Sequence, residues 1–146
     1  MASQIQHNTG SQFIAGILNG SITKGTNLYL LLRQLDGTSG RPADAAAADT
    51  LSSSLSEVPT SGTGYARIAV PWSSCTIAAV GNTWVITVPQ QTFNFTGSCT
   101  ATHSSIATSS DASGYLLCSA PLSATRNFAN GDQDNCTFKW VIEQGS

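Results

Sequence analysis

From Gly62 onward the apolar residues of this chain fall at every second position, in short runs cut apart by Gly, Pro and Asn, and that arrangement leaves few folds open. Ala66, Ile68 and Val70 alternate with Tyr65, Arg67 and Ala69, the period that gives a strand one face for a core and one for solvent. Gly62 and Gly64 mark a bend into this strand. Pro71 has no N–H to give a ladder, so the strand ends there or runs along a sheet edge, with Trp72 capping the core. The pattern then repeats. Trp84, Ile86 and Val88 alternate between the turn pair Gly81-Asn82 and Pro89, and Phe93 and Phe95 flank Asn94. A short apolar run covers 115–118, and Cys136, Phe138, Trp140 and Ile142 share a face after the Asn130-Gly131-Asp132 turn. Short strands separated by such turns predict an all-β fold, an antiparallel β-sandwich with at most one short helix. Phe93, Phe95, Phe138 and Trp140 are its expected core.

The chain before Gly62 reads differently. Residues 27–33 (Asn-Leu-Tyr-Leu-Leu-Leu-Arg) are almost continuously apolar and are closed by Asp36-Gly37, which predicts a buried strand. Residues 42–55 open with Pro, carry an acid in the first turn and a run of alanines, and place Leu51 and Leu55 four apart; they read as a short helix or as a flexible linker. Residues 1–26 have no sustained period, and Gly10, Gly16 and Gly20 work against a helix there. The expectation is an extended N-terminal arm over 1–26 ahead of a sandwich domain over 27–146. Its scattered apolar side chains, Ile5, Phe13, Ile14, Ile17 and Leu18, are the candidate partner-binding residues, laid against a sister subunit or another surface. A plain tail with a short strand at 20–23 is the competing reading.

Composition narrows the function. Only 10% of residues are charged, against about 25% in an average soluble domain. The six Lys and Arg are scattered singly at a net charge of −2, so there is no basic patch to neutralise phosphates and nucleic acid is not an expected partner. The longest apolar runs, 28–32 and 84–88, are far short of the ~20 residues a membrane helix needs. The N-terminus has neither a basic nor an apolar signal region, so synthesis and retention in a cytoplasm are expected. The four cysteines, Cys75, Cys99, Cys118 and Cys136, form no Cys-x-x-Cys motif and have no His pair nearby. They read as free thiols, Cys118 and Cys136 as small core hydrophobes, or as disulfides formed later outside the cell. His7 and His103 stand in Ser/Thr surroundings, and Asp132 and Asp134 flank a turn without the spacing of a calcium loop. Glycan hydrolysis needs a pair of carboxylates about 5 to 9.5 Å apart, yet the eight acids sit mostly in turns or in the candidate helix. No catalytic group, metal site or cofactor is expected.

One ordered series of motifs points to a family. Leu28-Tyr29-Leu30-Leu31-Leu32 is followed by Glu57-Val58 with Gly62-Thr63-Gly64-Tyr65-Ala66-Arg67, then Phe93-x-Phe95 with Thr102-His103, then Gly114-Tyr115-Leu116-Leu117 and Asn130-Gly131-Asp132. Over roughly residues 27 to 142 the chain resembles a family of small tailed-bacteriophage virion proteins. It departs from that pattern after Thr102-His103, where members often carry Gly-Ile-Phe-Asp and this chain reads Ser104-Ser105-Ile106-Ala107. The resemblance implies a structural role without enzymatic activity: a capsid decoration (cement) protein on the outer capsid surface of the virion. Such a protein would bind the major capsid protein across capsomer boundaries, commonly as a homotrimer of sister subunits. The alternative within the resemblance is a small tail-fibre or receptor-binding module that contacts the host cell surface.

Overall fold

The computed structural model describes residues 4–34, 57–111 and 113–143. Among them two antiparallel sheets share one core, with a single α-helix beside them, as the alternating runs require. The first sheet takes β1 (Ile5–Gln6), β2 (Asn27–Arg33), β3 (Ile68–Pro71), β6 (Cys99–Ala107) and β7 (Leu116–Phe128) in the order β1-β7-β6-β2-β3. The second takes β4 (Thr76–Val80), β5 (Thr83–Asn94) and β8 (Gln133–Glu143) in the order β4-β5-β8. Helix α1 spans Asn8–Asn19. The candidate helix at 42–55 and the turn at Asp36-Gly37 lie outside the described residues.

Strand β2 matches the run 27–33 and is buried because it is central, paired with β6 on one side and β3 on the other. Pro71 ends β3, and β3 is also the sheet edge, so both consequences of the missing N–H hold together. The expected aromatic core is present: Phe93, Phe95, Phe138 and Trp140 are all buried, and Phe95 stacks on Phe128 with centroids 4.0 Å apart.

Three details differ from the alternation read in the sequence. Tyr65 is buried and Ala66 exposed, and the laddered strand starts only at Ile68, because Gly64 sits at φ +73° and bends 65–67 away from the sheet. Pro89 does not stop its strand. It occupies an irregularity between Val88 and Gln91, so the run 84–88 and Phe93 belong to one strand whose bulge resets the face, with Phe95 just past its end. Trp84 and Ile142 lie on the core-facing side of their strands, yet both are substantially exposed.

The N-terminal segment is folded against the sandwich, and its glycines explain why the sequence hides a helix there. A Cβ at Gly10 would stand 2.3 Å from the Leu117 carbonyl oxygen, and one at Gly16 would stand 2.3 Å from Ile22, so both glycines let α1 approach its neighbours closely. Gly20, at φ 82°, terminates the helix in the left-handed region, its N–H bonding the Ile17 carbonyl. The helix costs propensity at these positions and gains packing. Phe13 enters the core and meets Tyr115 at 5.8 Å. Ahead of the helix, β1 pairs with β7 while the Gln4 side chain reaches the other sheet: its amide donates to the Lys139 carbonyl at 2.6 Å and accepts from the Val141 N–H at 2.9 Å. Gln6 accepts from the Trp140 indole N–H at 2.8 Å. Gln4 and Gln6 therefore lace the seam between the sheets.

Candidate partner interface

The motif that carries the family resemblance folds into a polar knot. Arg67 grips the Glu57 carboxylate with two nitrogens, at 2.8 and 2.7 Å. It also donates to the backbone carbonyls of Ser109 and Asp111. The Tyr65 hydroxyl donates to Glu57 at 2.8 Å and accepts the Leu32 N–H at 3.0 Å, while its ring stacks on Phe93. Burial drives the Tyr65 phenol far above its usual pKa, and the neighbouring Glu57 charge adds to the effect. Burial opposes the charge of Arg67, but its hydrogen bonds to Glu57 and that carboxylate's charge outweigh burial and hold the guanidinium more firmly protonated. Gly64 is required because any Cβ there would stand 2.7 Å from the Thr96 hydroxyl. Each of these groups fastens one segment to another. The motif is structural, and its acid and base are spent on each other.

The remaining polar candidates are also structural. His7 meets the Ser119 hydroxyl at 2.7 Å, and Ser119 meets Ser105 at 2.6 Å, but all three are fully buried, so no substrate can reach the serine. His103 bonds the adjacent Thr102 hydroxyl at 2.9 Å and is likewise buried. Asp132 accepts the Ala129 N–H at 2.8 Å, which accounts for its place in the turn. All four cysteines are free thiols, and burial pushes each above its ordinary pKa, away from the reactive thiolate. Among the described residues no cluster of His, Cys, Asp and Glu could hold a metal.

What the structure leaves unsatisfied is apolar. A groove of about 340 Å³ opens between α1 and the inner face of the second sheet. Phe13, Ile14, Ile17 and Leu18 line its helical wall, so four of the five side chains singled out in the N-terminal segment meet at one place. They do so in graded fashion: Phe13 belongs to the core, Ile14 and Ile17 are half-buried against it, and Leu18 is 83% exposed. Ile5 lies apart from them, in β1 opposite Ser119. The sheet wall is made by Ile77, Ile86, Trp140 and Ile142. Register explains the alignment: Ile77 stands opposite Ile86, which stands opposite Trp140, and one row further out Trp84 stands opposite Ile142. On these two rows Ile77 is 67%, Trp84 56% and Ile142 40% exposed. Lys24 is the charged group at the groove, its ammonium 5.7 Å above the Trp72 ring.

The sheet wall was not legible as a site in the sequence. Its residues alternate like core, and β4 is a short, weakly patterned run. The signal for β4 was the Gly81-Asn82 turn itself, because a two-residue turn ahead of a strand demands a partner strand on its other side.

A groove lined mainly by apolar side chains is suited to hold an apolar surface. The family comparison agrees with that character. Residues 12–139 match the model of a family described as Podophage GP4 fiber I protein gp80. The chain belongs to this family. It is therefore a structural protein of a phage virion, as the motif series implied, and the knot of Glu57, Tyr65 and Arg67 lies within the matched region. No curated protein is detectably similar in sequence.

Proposed function

We propose that the protein is a subunit of a podophage virion fibre, with a mechanical role and no catalytic one, and that it is joined to its neighbours in the particle through the apolar face formed by α1 and the outer end of the second sheet. The observation that carries this reading is the family match over residues 12–139, whose description is a fibre protein. The site agrees with it: Leu18, Ile77 and Trp84 are exposed large hydrophobics clustered near one groove, in a chain of which only 10% of residues are charged. Contiguous apolar surface of this sort marks an interaction site in a monomer.

A second reading is favoured by the outward-facing Leu18 on the N-terminal helix, which suits an anchor laid on a shell. In it the protein is a capsid decoration protein on the outer head surface, bound to the major capsid protein across capsomer boundaries as a homotrimer. Particles that lack the protein separate the two. A fibre subunit leaves heads that keep their genome on heating as well as complete particles do but adsorb poorly to host cells. A decoration protein leaves adsorption intact and lowers the temperature at which the genome escapes. Particles normal in both respects would contradict both readings.

A further inference from the structure

The edges of the two sheets are not treated alike. The end of β3 is Pro71, β1 is two residues long, and the part of β7 that extends past β1 carries Pro121 and Arg126. The edge of β8 bears Asp134 and Lys139 and has the Gln4 amide bonded to the backbone of Lys139 and Val141. Each is blunted in a way that natural sheets use to refuse further strands: brevity, proline, charge or a cap. Strand β4 has none of these. Thr76-Ile77-Ala78-Ala79-Val80 is uncharged, free of proline and glycine, exposed at all five positions and, among the described residues, paired on one side only, with β5.

We propose that β4 is a self-association edge, and that its occupant is β4 of a second copy of this chain, paired antiparallel about a two-fold axis at Ala78. The register supports it. In the β4–β5 hairpin Val80 faces Thr83 across the two-residue turn, so that pair is hydrogen-bonded and the bonded pairs alternate from there. Ile77 and Ala79 then turn their N–H and C=O groups outward. An axis at Ala78 sets each copy's Ile77 opposite the other's Ala79, where these outward groups satisfy one another, and it overlaps all five residues. Nothing opposes the approach: no charge meets its like, and the residue on the axis is alanine, small enough for the close spacing of a non-bonded pair, about 4.5 Å between Cα atoms. The pairing makes one six-stranded sheet from two of three strands. It also brings each Ile77 beside the partner copy's Ala79 on the groove side, so the two apolar grooves become continuous across the axis. This contact goes beyond the fibre reading and does not depend on it. It yields a dimer, whereas the family resemblance implied a trimer.

The test uses the full purified chain and a measurement of mass in solution. The expected mass is twice the 15.1 kDa of the chain. Ala78→Glu and Ala78→Lys each set like charges against one another on the axis and should each be monomeric. Mixed in equal amounts they should form a heterodimer, because the opposed charges then attract. Ala79→Pro, which removes one outward N–H and leaves the β5 ladder alone, should also be monomeric, with an unchanged far-UV circular dichroism spectrum. A monomeric wild-type chain at high concentration, a trimer that Ala78→Glu leaves intact, or charged variants that fail to recombine would each overturn the proposal. Recovery of β4 against a strand of a different virion protein would overturn the choice of occupant.

Discussion

The second sheet has two ends built on one pattern with opposite fates. At one end Val88 and Phe138 face each other and are buried; two rows away on the same face and the same strands, Trp84 and Ile142 face each other and are open to solvent. Nothing in the alternation differs between them. What differs is the opposing layer: Val88 and Phe138 belong to the buried core that the two sheets share, whereas Ile142 borders an open groove whose far wall is α1 with Lys24 and Trp72. An alternating run thus states which face of a strand is apolar, and the reach of the layer above decides whether that face is core or open surface.

Paired substitutions at the two ends test this directly. Phe138→Ala should cost roughly 3 to 5 kcal/mol in chemical denaturation, the range for a buried Phe. A loss under about 1 kcal/mol would show that the covered end is not close-packed. Tyr65→Phe, beside the covered end, should cost about 1 to 3 kcal/mol, because the buried Leu32 N–H loses its acceptor while the ring and its stacking on Phe93 remain. Stability equal to wild type would mean that the N–H finds another partner. At the open end, Leu18→Ser and Trp84→Ser should each move stability by only about 0.5 kcal/mol, yet reduce incorporation of the chain into particles. Full incorporation by the double variant would remove the open end from the assembly account.

The smallest expected effect lies at Asp111 and its two serine partners, Ser109 and Ser113. The Asp111 carboxylate accepts bonds from the Ser113 hydroxyl and N–H and from the Ser109 hydroxyl, and these lower its pKa to about 2. A carboxylate depressed in the folded state stabilises above its ordinary pKa of about 3.9, and that contribution disappears as pH falls through about 2. An NMR titration should show the Ser113 amide shift changing near pH 2. A midpoint near 4 would show that the loop bonds do not hold in solution.

Much of the fold was legible because period two and turn chemistry are local properties. The run at 27–33, the Phe93, Phe95, Phe138 and Trp140 core and the Gly62 and Gly64 bend followed from residue order. Helix α1 did not, since Gly10 and Gly16 lower its propensity for reasons that lie in the closeness of Leu117 and Ile22, which sequence does not display. Of the candidate interface the helical wall was visible as apolar side chains without a partner. The sheet wall was invisible, because Ile77, Ile86 and Ile142 are left along an open groove only where the covering layer stops.

On the proposed reading this subunit meets its neighbours in the virion through the open end of the second sheet. A reconstruction of the intact particle at side-chain resolution tests it most directly. The expected result is that Leu18, Trp84 and Ile142 of each copy are buried under an adjoining subunit. A particle in which those residues face solvent, with the chain held through other surfaces, would contradict it.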